Sequence, residues 1–445
     1  MLSVAPSAGQ TPLTYGTLTL PTGASPSAAR IGDLDGDSRN DIAAVTLPGN
    51  LQLYYGNGAG GFQQVSMSGL WPANQAMNLA IGDLTGDGKH DIAVALATPN
   101  GAVSILRNLG NRTFASPVTY TTCSGANSVA IGDLDRDGDN DLAVTGGCSQ
   151  AAILLNNGQG VFSSGGSFGT GSFSRAVALA DFNRDGFLDI SYLNAAGRSE
   201  IMLLFNNGSA EFGNPKALFA GDLAADFTVS DVDGDRAPDL VIANPTLGQV
   251  IILFNDNALT FQGYTELTLE TPDSIAAADF NDDLKIDVAA GSRSIAAVSI
   301  LLQRDRDNFN AGGTHFWTGQ NPIAITAGKL DADGRADVVA VNQSSGTLTV
   351  ALSALPPPPP PPPPPVTITL TLSTRLTSTA RWVDLRWTGA TASWLDIYRN
   401  GSRITTVYNT GSHSDRFSRQ TRGTFQYRVC HAGSTICSNQ ASITF

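Results

Sequence analysis

At intervals of 48 to 50 residues, the first 355 residues carry a nine-residue acidic segment with oxygen-bearing side chains at alternate positions. The segments start at Asp33, Asp83, Asp133, Asp181, Asp231, Asp279 and Lys329, in steps of 50, 50, 48, 50, 48 and 50 residues. In the third, Asp133, Asp135, Asp137 and Asp141 hold positions 1, 3, 5 and 9, and Asp139 at position 7 offers its backbone carbonyl. Short carboxylates closing on one centre form a cage of hard oxygens, which suits Ca2+. Cys and His are missing from these positions, which argues against zinc, and Mg2+ resists dehydration and demands a tighter octahedron. Four carboxylates crowded together raise one another's pKa values unless a cation intervenes, so metal is expected to contribute to folding. A catalytic ion needs an open position and a nearby base, neither of which is indicated. The expected role is structural.

The other loops follow the same scheme, with the carbonyl donor at position 7. The first is Asp33, Asp35, Asp37, Arg39 and Asp41, and the second Asp83, Thr85, Asp87, Lys89 and Asp91. The fourth is Asp181, Asn183, Asp185, Phe187 and Asp189. The fifth is Asp231, Asp233, Asp235, Ala237 and Asp239, and the sixth Asp279, Asn281, Asp283, Lys285 and Asp287. A hydroxyl is a poorer ligand than a carboxylate, so Thr85 predicts weaker binding in loop two. Loop seven places Lys329 at position 1 beside Asp331, Asp333 and Asp337. Its ammonium is expected where an ion would otherwise sit, which leaves about six structural Ca2+ sites.

The elements that position these loops repeat with them. A short apolar strand enters each loop, as in VAIGD at 129–133, and a second leaves it, as in DLAVT at 141–145. A third strand such as AAILLNN at 151–157 follows. A fourth is expected to open on Phe62, Phe114, Phe162, Phe212, Phe261 or Phe309. Four short strands per unit with Gly and Asn turns, repeated seven times, read as a β-propeller. The last unit stops after GTLTVALS at 346–353, and LTYGTLTL at 13–20 is expected to complete it, removing the exposed edges. The reading is all-β: a seven-bladed β-propeller over 1–355 closed by its N-terminal strand, then a small β-sandwich.

Residues 356–365 are ten prolines, expected to form a stiff polyproline II spacer of about 31 Å. Residues 366–445 alternate apolar and polar side chains between turns, with Asn400-Gly401 as a hairpin signal, Trp387 as a core aromatic and Tyr427 as a tyrosine-corner residue. Net charge is −13, but nine Arg and three Asp give 366–445 a net of +6, so residues 1–365 sum to −19. An acidic surface argues against nucleic acid as a partner. No stretch resembles a transmembrane helix. The start lacks a basic, apolar leader; a removed signal, paired cysteines and scarce Lys together read as secreted or cell surface.

Through DLDGDSRND (33–41), DLDRDGDND (133–141) and DVDGDRAPD (231–239), the chain resembles the FG-GAP/VCBS repeat family, which includes the propeller of integrin α subunits. Lys329 departs from its pattern, and Arg236 and Leu284 replace a loop glycine, which puts those backbone turns in question. LRWTG, IYRNG and YRV make the tail similar to a fibronectin type III domain.

The acidic loops join the first two strands of each unit, so they lie on one face of the disc. Cys123 and Cys148 flank one such strand pair and are expected to form a disulfide on the opposite face; Cys430 and Cys437 are expected to pair in the tail. The metal-free face carries the loops Trp71–Gln75, Thr121–Asn127 and Trp317–Asn321. The resemblance implies that partners bind there, and Trp71 and Trp317 either pack between blades or anchor a ligand. The leading expectation is a binding or adhesion protein for a glycan or protein. The alternatives are a polysaccharide lyase or glycoside hydrolase acting at the channel, or a module of a larger surface assembly. Of the four histidines, His413 and His431 lie in the tail and neither His90 nor His315 comes with a nucleophile motif, and glycosidase chemistry needs a pair of suitably spaced carboxylates where most Asp are committed to metal.

Overall fold

The structure, a computed structural model, describes residues 13–147, 150–169, 173–195, 198–256, 259–267, 271–306, 308–310, 314–354 and 367–445. The chain forms two compact units, Met1–Pro356 and Pro357–Phe445. Among the described residues there is no helix, and none therefore long and apolar enough to cross a membrane. The polyproline run lies outside the described residues.

Among the described residues, the larger unit contains seven four-stranded antiparallel sheets. The innermost strands are Pro26–Gly32, Ala76–Gly82, Ala126–Gly132, Ser174–Ala180, Asp226–Ser230, Ser274–Ala278 and Pro322–Gly328. Each packs beside the next, and the last packs beside the first, so the ring is closed. The second strands, such as Asp41–Thr46, Asp91–Leu96 and Asp141–Gly146, are buried at every residue. A strand packed on both faces loses the period-2 alternation, which is why DIAVAL reads as a continuous apolar run.

The core lies between neighbouring sheets. Val45, Leu51, Leu53 and Tyr55 of the first sheet meet Leu79, Ile92 and Val94 of the second. Ile42, Ala44 and Tyr54 of the first meet Val339, Val341 and Leu348 of the seventh. Thr14–Pro21 is the outer strand of that seventh sheet, paired along Thr347–Ala354 with Tyr15 opposite Ser353. Tyr15 packs on Phe316 with ring centroids 5.0 Å apart.

The aromatic residues differ from expectation in four units. Phe62 and Phe162 do open outer strands, Phe62–Met67 and Phe162–Gly169. Phe114 and Phe309 instead close small hairpins, and Phe212 makes a bridge to Asn206. Phe261 directly precedes Gln262–Leu267. In the second and fourth units Pro117 and Pro215 separate the aromatic residue from outer strands Val118–Thr121 and Lys216–Phe219. Proline has no N–H for a ladder and so marks the break.

The smaller unit packs a three-stranded sheet (Thr369–Leu376, Ala380–Thr388, Ser412–Ser418) on a four-stranded one (Ser402–Tyr408, Trp394–Arg399, Thr424–His431, Ala441–Thr444). Val383, Leu385, Trp387, Ile397, Tyr427 and Val429 fill the space between. Asn400 and Gly401, both at positive φ, turn the hairpin that joins Trp394–Arg399 to Ser402–Tyr408. Tyr427 departs from the tyrosine-corner arrangement: its hydroxyl donates to the Asp415 carboxylate at 2.6 Å, not to backbone, and Arg399 supplies the countercharge at 2.8 Å. Cys430 and Cys437 are disulfide-bonded. Cys123 is disulfide-bonded as well, and its expected partner Cys148 lies outside the described residues.

Candidate metal loops and channel

The acidic loops fold on their own carboxylates. The position-1 carboxylate accepts backbone N–H from positions 4 and 6: Gly36 and Ser38 donate to Asp33 at 2.7 and 2.8 Å, and Arg136 and Gly138 to Asp133 at 2.7 and 3.1 Å. Position 3 accepts from the N–H of position 5, and position 5 from that of position 7, as at Asp135 and Asp137. Positions 4 and 6 adopt positive φ in the first six loops. Arg236 (φ 72°) and Leu284 (φ 66°) keep the turn, so the missing glycines do not abolish it. An L-residue held there is strained by about 1–2 kcal/mol.

Position 9 serves a purpose that its acidity alone does not reveal. Asp41, Asp91, Asp141, Asp189, Asp239, Asp287 and Asp337 are fully buried. In every loop one carboxylate oxygen accepts the N–H of position 2 and the other accepts an N–H at the end of the third strand, at 2.6–3.0 Å. The residue thus pins three strands of its blade at one point. Burial pushes its pKa up, the two N–H donors oppose that, and the loop carboxylates add to it. Asp41, Asp141, Asp189 and Asp337 rise to about 6, Asp239 to about 7 and Asp287 to about 8; Asp91 rises as well.

The sequence reading missed the connection between blades. Asn156 ends a third strand, Asn108, Asn206 and Asn255 lie one or two residues beyond the ends of theirs, and each side-chain amide donates at 2.8–2.9 Å to the position-2 carbonyl of the preceding loop: Leu34, Leu84, Leu134 and Phe182. Gln303 does the same to Val232 at 3.0 Å. The recurring Asn at the end of RN, NN and FN segments was the available signal.

The residues present fit a divalent cation. Oxygens of Asp33, Asp35 and Asp37 lie within 4.8 Å of one another, as do those of Asp133, Asp135 and Asp141, and of Asp231, Asp233 and Asp239. The remaining expected ligands occupy equivalent places: Asp83, Thr85 and Asp87; Asp181, Asn183 and Asp185; Asp279, Asn281 and Asp283 lie along their loops, with Asp91, Asp189 and Asp287 buried beneath. Asn183 and Asn281 turn their amide nitrogens to Asp185 and Asp283. Protein cations meet other loops. Arg39 pairs with Asp37 and Lys89 with Asp87. Arg112 reaches Asp35 at 2.8 Å, and Arg306 reaches Asp233 at 2.6 Å, each from a hairpin of the following blade. In loop seven the cation that pairs with a carboxylate is Arg335, on Asp333, and among the described residues Lys329 makes no ion pair.

Opposite these loops the ring opens into a cavity of about 580 Å3, within the roughly 300–1,000 Å3 range of small-ligand sites. It is lined by the starts of the inner strands and by Arg175, Asp273, Arg293 and Gln343. Of the two tryptophans on that side, Trp71 is buried in the core between the first two blades and Trp317 is 63% exposed.

Residues 33–94, 91–144, 133–191 and 231–290 match the family of FG-GAP-like repeats. The chain carries FG-GAP-like repeats. None of the curated proteins compared with it matches. Among solved structures it resembles the BP39L lectin from Burkholderia pseudomallei (15% identity, 75% of this chain and 96% of that one, TM-score 0.58). It also resembles BBS1N in its complex with ARL6DN (12%, 77% and 98%, TM-score 0.52). Chaetomium thermophilum Raptor matches at 11% identity over 78% of this chain and 29% of that one, with TM-score 0.52. At these identities the likeness establishes the β-propeller fold alone.

Proposed function

We propose that this protein is a secreted or cell-surface binding module whose acidic loops hold structural Ca2+ and whose ligand, a glycan or protein, docks on the opposite face. The observation that carries this reading is the separation of labour between the two faces. Carboxylates converge at the loops, while a large cavity opens at the other end of the inner strands. Positions 1, 3, 5 and 9 with the position-7 carbonyl would hold the ion, which supplies positive charge where neighbouring carboxylates repel. Loop seven, with Lys329 at position 1 and Arg335 on Asp333, is the loop left without metal. Disulfide bonding fits an extracellular setting. The strand order of the smaller unit supports its resemblance to a fibronectin type III domain, serving as a spacer or second module.

The channel acids favour binding over hydrolysis. Asp226 accepts the N–H groups of Phe227 and Ile275 at 2.9 and 3.2 Å. Asp273 accepts the Arg293 N–H at 2.9 Å and faces its guanidinium at 3.9 Å. Asp226 thus joins two neighbouring blades, and Asp273 ties two strands of one blade. Metal analysis after dialysis against Ca2+ tests the first half of the proposal: about six ions per chain are expected, and none would end it. A glycan array and surface capture, run with Ca2+ and with chelator, test the second half; ligands that bind the loop-bearing face would refute the assignment of faces.

A further inference from the structure

At one register position of the inner strands, every blade but one carries a small side chain. Three residues before the start of each acidic loop, six blades carry Ala80, Ala130, Ala178, Thr228, Ala276 and Thr326. The first blade carries Arg30 there, and Arg30 lines the cavity. A guanidinium at a position otherwise held by methyl groups and hydroxyls is not needed to fill space, since alanine fills the same position in four other blades. Nor is it absorbed by the protein. Of the five N–H donors of an arginine, described acceptors take one, the carbonyl of Ala29 at 2.9 Å from Nη1. Its nearest countercharge, Asp226, is felt electrostatically, but among the described residues the two share no ion pair, and the Asp226 oxygens already receive two backbone N–H bonds. With four of its five donors unused by described acceptors, the guanidinium can take an anionic ligand in addition to the field of Asp226.

Further out the cavity is polar. Arg175 and Arg293 stand at its rim, with Asp273 beside Arg293. Asn78 and Asn127 line the wall, and Asn127 Oδ1 is buried with no hydrogen-bond partner. That oxygen is an acceptor waiting for a donor, which a carboxylate lacks and a hydroxyl supplies. Three guanidinium groups against Asp226 and Asp273 leave the cavity cationic inside a unit whose sequence sums to −19.

Resting on the binding reading above, the geometry points to an acidic sugar as the ligand of the channel, its carboxylate seated on Arg30 and its hydroxyls turned to Asn127 and its polar neighbours. A planar guanidinium pairs with a carboxylate through two parallel bonds, and the cavity volume admits a mono- or disaccharide while excluding the fold of a protein.

The test is calorimetric titration of the whole Ca2+-loaded chain with galacturonate and glucuronate, as monomers and dimers, against galactose, glucose and glutarate. The acidic sugars are expected to bind and the neutral sugars to fail. R30Q is expected to weaken the acidic sugars by about ten- to a hundredfold, the factor of one charge-assisted pair. N127D, which places a negative charge on the wall without altering Arg30, is expected to weaken them as well, and unchanged melting of either variant shows that the ring is intact. Equal affinity of R30Q, or equal binding of the neutral sugars, overturns the carboxylate assignment while the binding face stands. Tight binding of glutarate or of an acidic peptide overturns the sugar assignment. If an array and surface capture also find no ligand for the wild-type chain, the binding reading itself falls.

Discussion

Replacing Asn206 by alanine tests whether the blades are held to one another by side-chain amides. Asn206 is 5% exposed and donates from Nδ2 to the carbonyls of Leu134 (2.8 Å) and Leu188 (3.0 Å), while its Oδ1 accepts the N–H of Gly208 (3.0 Å). Leu134 lies in the preceding blade, between the first and third positions of its acidic loop. Each bond contributes about 0.5–1.5 kcal/mol net, and a buried carbonyl left without a donor costs about 1–3 kcal/mol. Three bonds are lost and the Leu188 carbonyl is orphaned, while the Leu134 carbonyl keeps the Ala210 N–H at 3.1 Å, which gives about 2–4 kcal/mol for N206A. Asn206→Asp should be worse, since it sets a carboxylate against the same two carbonyls. Asn207, exposed at the next position, provides the control, with an expected change below about 0.5 kcal/mol for N207A. Urea titration in excess chelator measures all three, provided fluorescence and circular dichroism report coincident transitions. Because Leu134 sits within a loop that binds metal in the proposed function, N206A should also reduce the stabilisation gained on adding Ca2+. A stability of N206A within about 0.5 kcal/mol of wild type, at unchanged denaturant slope, would falsify the view that these amides join the blades.

The position-9 carboxyls make stability depend on pH. Their folded pKa values lie above the ordinary carboxylate value, so in chelator the stability they lend is fully present below about pH 4 and is lost as pH rises through about 6 to 8. Calcium favours the ionised form, so the gap between melts with Ca2+ and with chelator should widen from about pH 5 to about pH 8; a constant gap contradicts the coupling. Asp137→Asn alters an exposed loop carboxylate, and it should leave the chelator melt unchanged while shrinking the Ca2+-dependent increment; a loss of stability in chelator would count against its assignment as a ligand. Leu284 is 91% exposed at φ 66°, so L284G should stabilise the chain by about 1 kcal/mol, and a lower melting temperature would show that the strain lies elsewhere.

The reach of sequence reading here follows the range of each interaction. The propeller could be read because its signals are local and repeated: a buried second strand such as DIAVAL, an acidic turn, a Gly/Asn turn, and a regular return. The outer strands were placed less well, since Phe114, Phe212 and Phe309 look alike in sequence yet close small turns before the strand begins. Asn206 was passed over because its acceptor Leu134 is 72 residues away, and an Asn beside a Gly reads first as a turn residue. The further task of Asp141, holding two backbone N–H groups, was missed because nothing local in the sequence shows those donors. Arg30 lay in plain view, but only as a departure from a column of alanine and threonine, which becomes visible once the repeats are laid over one another and the inward-facing positions are known.

The pairing of Thr14–Pro21 with Thr347–Ala354 sets the order of events on the ribosome. Of the described propeller strands Thr14–Pro21 is made first and finds its place last, because its partner is synthesised more than three hundred residues later. Through that interval TYGTLTLP, uncharged and rich in β-formers, waits as an unsatisfied edge of the kind that seeds aggregation. Bringing the two ends together adds little entropy cost beyond that of a shorter loop, since the penalty grows only with the logarithm of chain length. The hazard in making this protein is therefore one of time, and anything that slows translation before residue 354 prolongs it.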